Sequence, residues 1–149
     1  MDTLQRLVEL EALKRLKASY FYHIDHKNWD EWIALFTPDA SLAWDGTVST
    51  LGREGKLARR HVGHAAIREF VCEKTLDPTV TVHQGHTPIL DIISETEARG
   101  IWAMEDIVDT KGGLLHGFGH YHETYRKVNG EWKISSLHLT RTRLVTTQA

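Results

Sequence analysis

A chain of 149 residues with no low-complexity run is the size of a single domain, residues 1–149, able to bury roughly 70% of its unfolded surface and still enclose a cavity. A formal charge of −2 excludes the strongly basic surface of nucleic-acid and membrane-surface proteins. The lone Cys72 excludes an intrachain disulfide. Together with the absence of a long apolar run or a basic-then-apolar start, it leads to the expectation of a soluble, cytoplasmic protein.

Taken in order, Leu4, Leu7, Val8, Leu13, Leu16, Tyr20 and Ile24 recur at threes and fours and predict one long amphipathic helix. Asn28, with Glu31 three residues on, has capping-box spacing for a second helix through Trp29, Trp32, Ile33 and Phe36, ending before Pro38. Ser41 to Trp44 reads as a short strand closed by Asp45-Gly46, and residues 46–60 as a mobile polar loop. Ile67, Phe70 and Val71 mark a third helix between Gly63 and Lys74. Beyond Pro78 the pattern becomes β-rich. Turns at Ser94-Glu95-Thr96, Lys111-Gly112-Gly113 and Asn129-Gly130 separate four long strands, with Pro88 marking a bulge or edge in the first. Three helices before an antiparallel meander define an α+β class, helices on one face of a curved sheet.

Asp25 stands at the end of the first helix beside Tyr20, Phe21 and Tyr22, and His83 in an extended segment that folds back over it. A carboxylate on one imidazole nitrogen fixes the tautomer and raises the basicity of the other, the minimum equipment for metal-free elimination. The alternatives are a helix-capping aspartate and a satisfied core histidine. Tyr20, five residues before Asp25 and about 140° around the helix, is a candidate proton donor or a core aromatic; sharing a pocket with Asp25 requires the helix end to unwind. His86 competes with His83, since residues three apart on a strand face opposite sides; the alternating Val80-Val82 run favours His83. Arg141 offers a forked hydrogen bond to a substrate oxygen, or is a strand-surface arginine. His116, His120 and His122 have spacing for half a metal site, but no complementary ligand completes it, so no metal is assigned. Gly117 and Gly119 permit a sheet bend or a close ligand approach.

Tyr20-Phe21…Asp25…Trp29-Asp30, His83-Gln84-Gly85-His86-Thr87-Pro88 and Gly130-Glu131-Trp132-Lys133-Ile134 carry a resemblance that spans nearly the whole chain. The sequence resembles the SnoaL-like branch of the nuclear-transport-factor-like superfamily, among it the bile-acid dehydratases and scytalone dehydratase, and more distantly hexachlorocyclohexane dehydrochlorinase. The resemblance implies a cone-shaped α+β barrel, an Asp at Asp25, a His at His83, and, as in the bile-acid enzyme, a Tyr at Tyr20 and an Arg near Arg141. By family position Trp44, Trp102 and Tyr121 line the cavity. The chain departs from scytalone dehydratase at Ile24, Trp44 and Trp102, which replace two water-polarising tyrosines and a second active-site histidine.

The expectation is therefore a cofactor-independent dehydratase. His83 and Asp25 take a proton from a small, largely apolar ring substrate, Tyr20 or the imidazolium protonates the leaving oxygen, and Arg141 steadies the enolate. The alternatives are a ketosteroid-isomerase-type isomerase or cyclase and a non-catalytic ligand-binding or assembly module. A sheet face rich in His and aromatics points to a homo-oligomer, trimer or dimer.

Overall fold

The computed structural model describes residues 1–50 and 52–148. Asp2 caps helix α1 (Thr3–Asp25) reciprocally: its carboxylate accepts the Gln5 N–H at 2.8 Å, and the Gln5 side chain accepts the Asp2 N–H at 3.0 Å. Only the second half of the predicted stripe is buried. Leu4, Leu7 and Val8 are exposed, while Leu13, Leu16, Tyr20 and Ile24 enter the core together with Lys17, which the charge pattern had placed outside. Lys27 then adopts a left-handed conformation (φ 58°) and turns the chain into α2 (Trp29–Ile33).

Helix α2 is one turn shorter than predicted and lacks the expected cap. The Asn28 amide is bonded to the His23 ring at 3.1 Å instead of to the helix N-terminus. The chain is already extended at Phe36, and strand β1 (Phe36–Val48) runs through Pro38 and through Asp45-Gly46 without turning. The pairing with β2 (Leu57–Val62), a strand hidden in the segment read as loop, shifts register between Trp44 and Asp45. Leu51, in that same segment, lies outside the described residues. After β2 a single turn α3 (His64–Ala66) widens into a π-helix over Ile67–Leu76, where a plain α-helix was predicted; such widening is frequent at functional sites.

The remaining strands are β3 (Val80–Gly85), β4 (Ile89–Ile92), β5 (Glu97–Thr110), β6 (Gly113–Val128) and β7 (Glu131–Gln148). The turns predicted at Ser94-Glu95-Thr96, Lys111-Gly112-Gly113 and Asn129-Gly130 are where the structure has them, and Pro88 falls in the break between β3 and β4. The sheet order is β2-β1-β7-β6-β5-β3, with β4 also on β5; every pair is antiparallel except β1 with β7. The long strands curl round one apolar interior, and the helices close it: the α+β cone is the observed architecture. Tyr20, Trp32 and Phe36 pack edge-on or tilted between helix and sheet, with ring centroids 4.8–6.1 Å apart.

Candidate active site

Strand parity places the site. On β3, Thr81 and His83 point inward while Val80 and Val82 point out. On β5 the inward set is Ala98, Trp102, Met104 and Asp106, and on β6 it is Gly117, Gly119, Tyr121, Glu123 and Tyr125. His83 and Asp106 are cross-strand neighbours.

The Asp25 carboxylate, at the last residue of α1, meets β3 three times. It accepts from the His83 ring Nδ1 at 2.7 Å, from the His83 backbone N–H at 2.9 Å and from the Thr81 hydroxyl at 2.9 Å. Burial works to raise the Asp25 pKa, but the bonds from His83 and Thr81 outweigh it and hold the carboxyl below its ordinary value. With Nδ1 committed to Asp25, Nε2 is the ring nitrogen left for chemistry, and His83, 9% exposed, is part of the cavity wall. His86 is exposed beyond the end of β3.

The helix does not unwind to bring Tyr20 and Asp25 to one pocket. Tyr20 lines the cavity directly, whereas Asp25 is bonded to His83, which lines it, so the 140° between them is no obstacle. The cavity has a volume of about 280 Å³. Ile24, Leu42, Leu137 and Leu139 give it an apolar wall, and Val71, Thr75 and Leu76 of the π-helix close one side. Trp44 and Tyr121 stand in that wall. Trp102 does not. Its indole lies deeper in the core and donates to the Tyr125 hydroxyl at 2.9 Å.

Arg141 is neither a surface arginine nor a free anion hook. It is 7% exposed, lines the cavity together with Asp106, and forms a two-pronged pair with that carboxylate at 2.5 and 3.0 Å. Asp106 on β5 and Arg141 on β7 meet across β6 because Gly117 stands between them; a Cβ there would fall on the guanidinium and the carboxylate. Gly117 thus makes room for an ion pair, not for a ligand. The histidines of β6 face the outer side of the sheet. His116 pairs with Glu105 at 2.6 Å, and His122 bonds Thr140 at 3.1 Å. Among the described residues no three His, Cys, Asp or Glu side chains converge as a metal site.

Sequence reasoning missed Asp106, Thr81 and the buried Lys17–Glu123 pair. Each charged one of them was visible in principle as a charge on the apolar parity of its element: Lys17 between Leu13 and Tyr20, Asp106 after Trp102 and Met104, Glu123 between Tyr121 and Tyr125.

The depressed Asp25 pKa has a consequence for stability. The unfolded value is about 3.9, so the stability contributed by this carboxylate is complete above that pH and is lost as pH falls through the lower folded value. Asp25→Asn is expected to be less stable than wild type at neutral pH and to approach it in acid. Urea midpoints that differ by the same amount at pH 7 and pH 3 would contradict this.

Several known proteins are similar to this chain. A probable cyclase, FGR4 of Gibberella zeae, is 29% identical over 138 residues, covering 87% of this chain and 88% of that protein. The crystal structure of a candidate scytalone dehydratase of Novosphingobium aromaticivorans superposes with a TM-score of 0.83 at 24% identity, covering 99% of this chain and 93% of that one. The hexachlorocyclohexane dehydrochlorinase LinA-type3 of Novosphingobium barchaimii does so with a TM-score of 0.78 at 17% identity, covering 98% and 94%. At these identities the structural matches speak to the fold. The SnoaL-like domain family matches residues 5–138, nearly the whole chain, and the protein belongs to that family.

Proposed function

We propose that the protein is a lyase that eliminates water from a small, largely apolar ring substrate bearing a carbonyl. The observation that carries this reading is His83, held by Asp25 at Nδ1 and facing a 280 Å³ apolar cavity. Nε2 of His83 removes a proton from the carbon next to the carbonyl. Asp25 keeps the ring in the required tautomer and offsets the charge of the imidazolium as it forms. Tyr20, on the same wall, gives its proton to the departing oxygen. Trp44 and Tyr121 supply flat surfaces for a ring. Proton transfer by side chains suffices for this chemistry, so the reading invokes no cofactor. It includes a homo-oligomeric state, dimer or trimer.

The direct test is incubation with a series of ring β-hydroxy ketones, followed by growth of the conjugated-enone absorbance. Retained binding of these ketones with no turnover of any of them would sink the lyase and favour a ligand-binding module. A second reading, isomerase or cyclase, is supported by the cyclase name of the Gibberella relative. There a carboxylate shuttles the proton and His83 polarises the carbonyl. Mass spectrometry separates the two, since a dehydratase product is lighter by one water and an isomer or cyclised product need not be.

A further inference from the structure

Behind the cavity wall lies a polar cluster that the lyase reading does not use. Lys17 is fully buried, its Nζ paired with Glu123 and 3.7 Å from the ring centroids of both Tyr20 and Tyr121. The other Glu123 oxygen accepts the Tyr125 hydroxyl. Lys17, Glu123 and Tyr125 are all paired in this way. The Tyr121 hydroxyl is enclosed and meets no partner in full hydrogen-bond geometry among the described residues, while its ring stands 5.8 Å, centroid to centroid, from that of Tyr20, near enough for the hydroxyl to lower the Tyr20 pKa. Native structures rarely leave such a group unpaired without a use for it.

We propose that Tyr121 is a positioning residue for the proton donor Tyr20. Its hydroxyl stands ready to hydrogen-bond the Tyr20 oxygen once that oxygen has given up its proton, and Lys17, packed on both ring faces, fixes the two phenols relative to each other. The inference rests on the lyase reading and adds what that reading lacks. Burial pushes the Tyr20 pKa well above its ordinary value, and the carboxylates of Glu123, Asp106 and Asp25 push the same way, so an unassisted Tyr20 is a poor acid. A neighbouring hydroxyl that bonds only the ionised form favours that form.

The Tyr20 O–H bond breaks and its electron pair stays on the phenol oxygen. The substrate C–O pair moves to the departing oxygen, which takes the proton and leaves as water, while the pair from the C–H bond opened by His83 becomes the new C=C bond. Tyr121 keeps its own proton. The imidazolium then returns the substrate proton to Tyr20 through solvent.

The test replaces Tyr20 with difluorotyrosine, whose phenol titrates near neutrality, in the full chain with and without Tyr121→Phe, followed by fluorine NMR. The expected result is a midpoint at least about one pH unit higher in Tyr121→Phe, a tenfold loss of acidity. Its melting temperature should not fall, because no hydrogen bond is lost. An unchanged midpoint, or a variant that melts well below its parent, overturns the proposal. The titration needs no turnover, so a flat result counts against Tyr121 alone, whereas a shifted midpoint beside a failed enone assay leaves the coupling standing and removes the lyase.

Discussion

His83→Gln should lower turnover by roughly 10²–10⁴-fold while leaving the fold intact. Glutamine keeps an N–H that can face Asp25, so the three bonds that tie α1 to β3 are mostly retained: the Thr81 hydroxyl and the residue-83 backbone N–H are untouched. What disappears is Nε2, the basic atom on the cavity side. The loss should appear in kcat more than in KM, because the cavity wall of Trp44, Leu137 and Leu139 is left intact. Steady-state kinetics beside circular dichroism checks it. A folded variant with wild-type kcat would remove His83 from the chemistry.

The largest effect on stability is expected from Lys17→Ala. Both Lys17 and Glu123 are without solvent contact, and burial lowers the Lys17 pKa to about 8 against the pull of Glu123. Removing one partner strands the other charge in the core, a cost of roughly 3–5 kcal/mol. For a chain of this size that is a fall in Tm of about 10 °C. The double change Lys17→Met with Glu123→Gln leaves no stranded charge and keeps an acceptor for Tyr125, so it should recover most of the loss. If the single and double variants melt alike, the damage comes from lost packing and not from an unpaired carboxylate.

The fold was legible where one local signal dominates. Asn129-Gly130 and Lys111-Gly112-Gly113 fix hairpins by backbone preference alone, and the strands between them need only parity to find their faces. It was not legible where tertiary pairing overrides local preference. Phe36 to Val48 reads as a helix end, a short strand and a turn, yet becomes one strand because β7 on one side and β2 on the other supply its hydrogen bonds. Leu57–Val62, polar and half exposed as an edge, carries almost no hydrophobic pattern to read. The same division holds at the site. Asp25 and His83 stood out because acid and imidazole flank aromatic and alternating runs. Arg141 stood out too, but its partner Asp106 lies 35 residues away, and only the sheet register with Gly117 between them shows that the two are joined.

On the proposed reading His83, held by Asp25, is a base facing the cavity. Hydrogen–deuterium exchange at the carbon next to the carbonyl of a simple ring ketone, followed by proton NMR in heavy water, isolates that step. Exchange reports proton abstraction alone and requires neither the natural substrate nor a leaving group. Wild type should exchange the ketone well above the buffer rate, Asp25→Asn more slowly, and His83→Gln at the buffer rate. Exchange by His83→Gln as fast as by wild type would contradict the account.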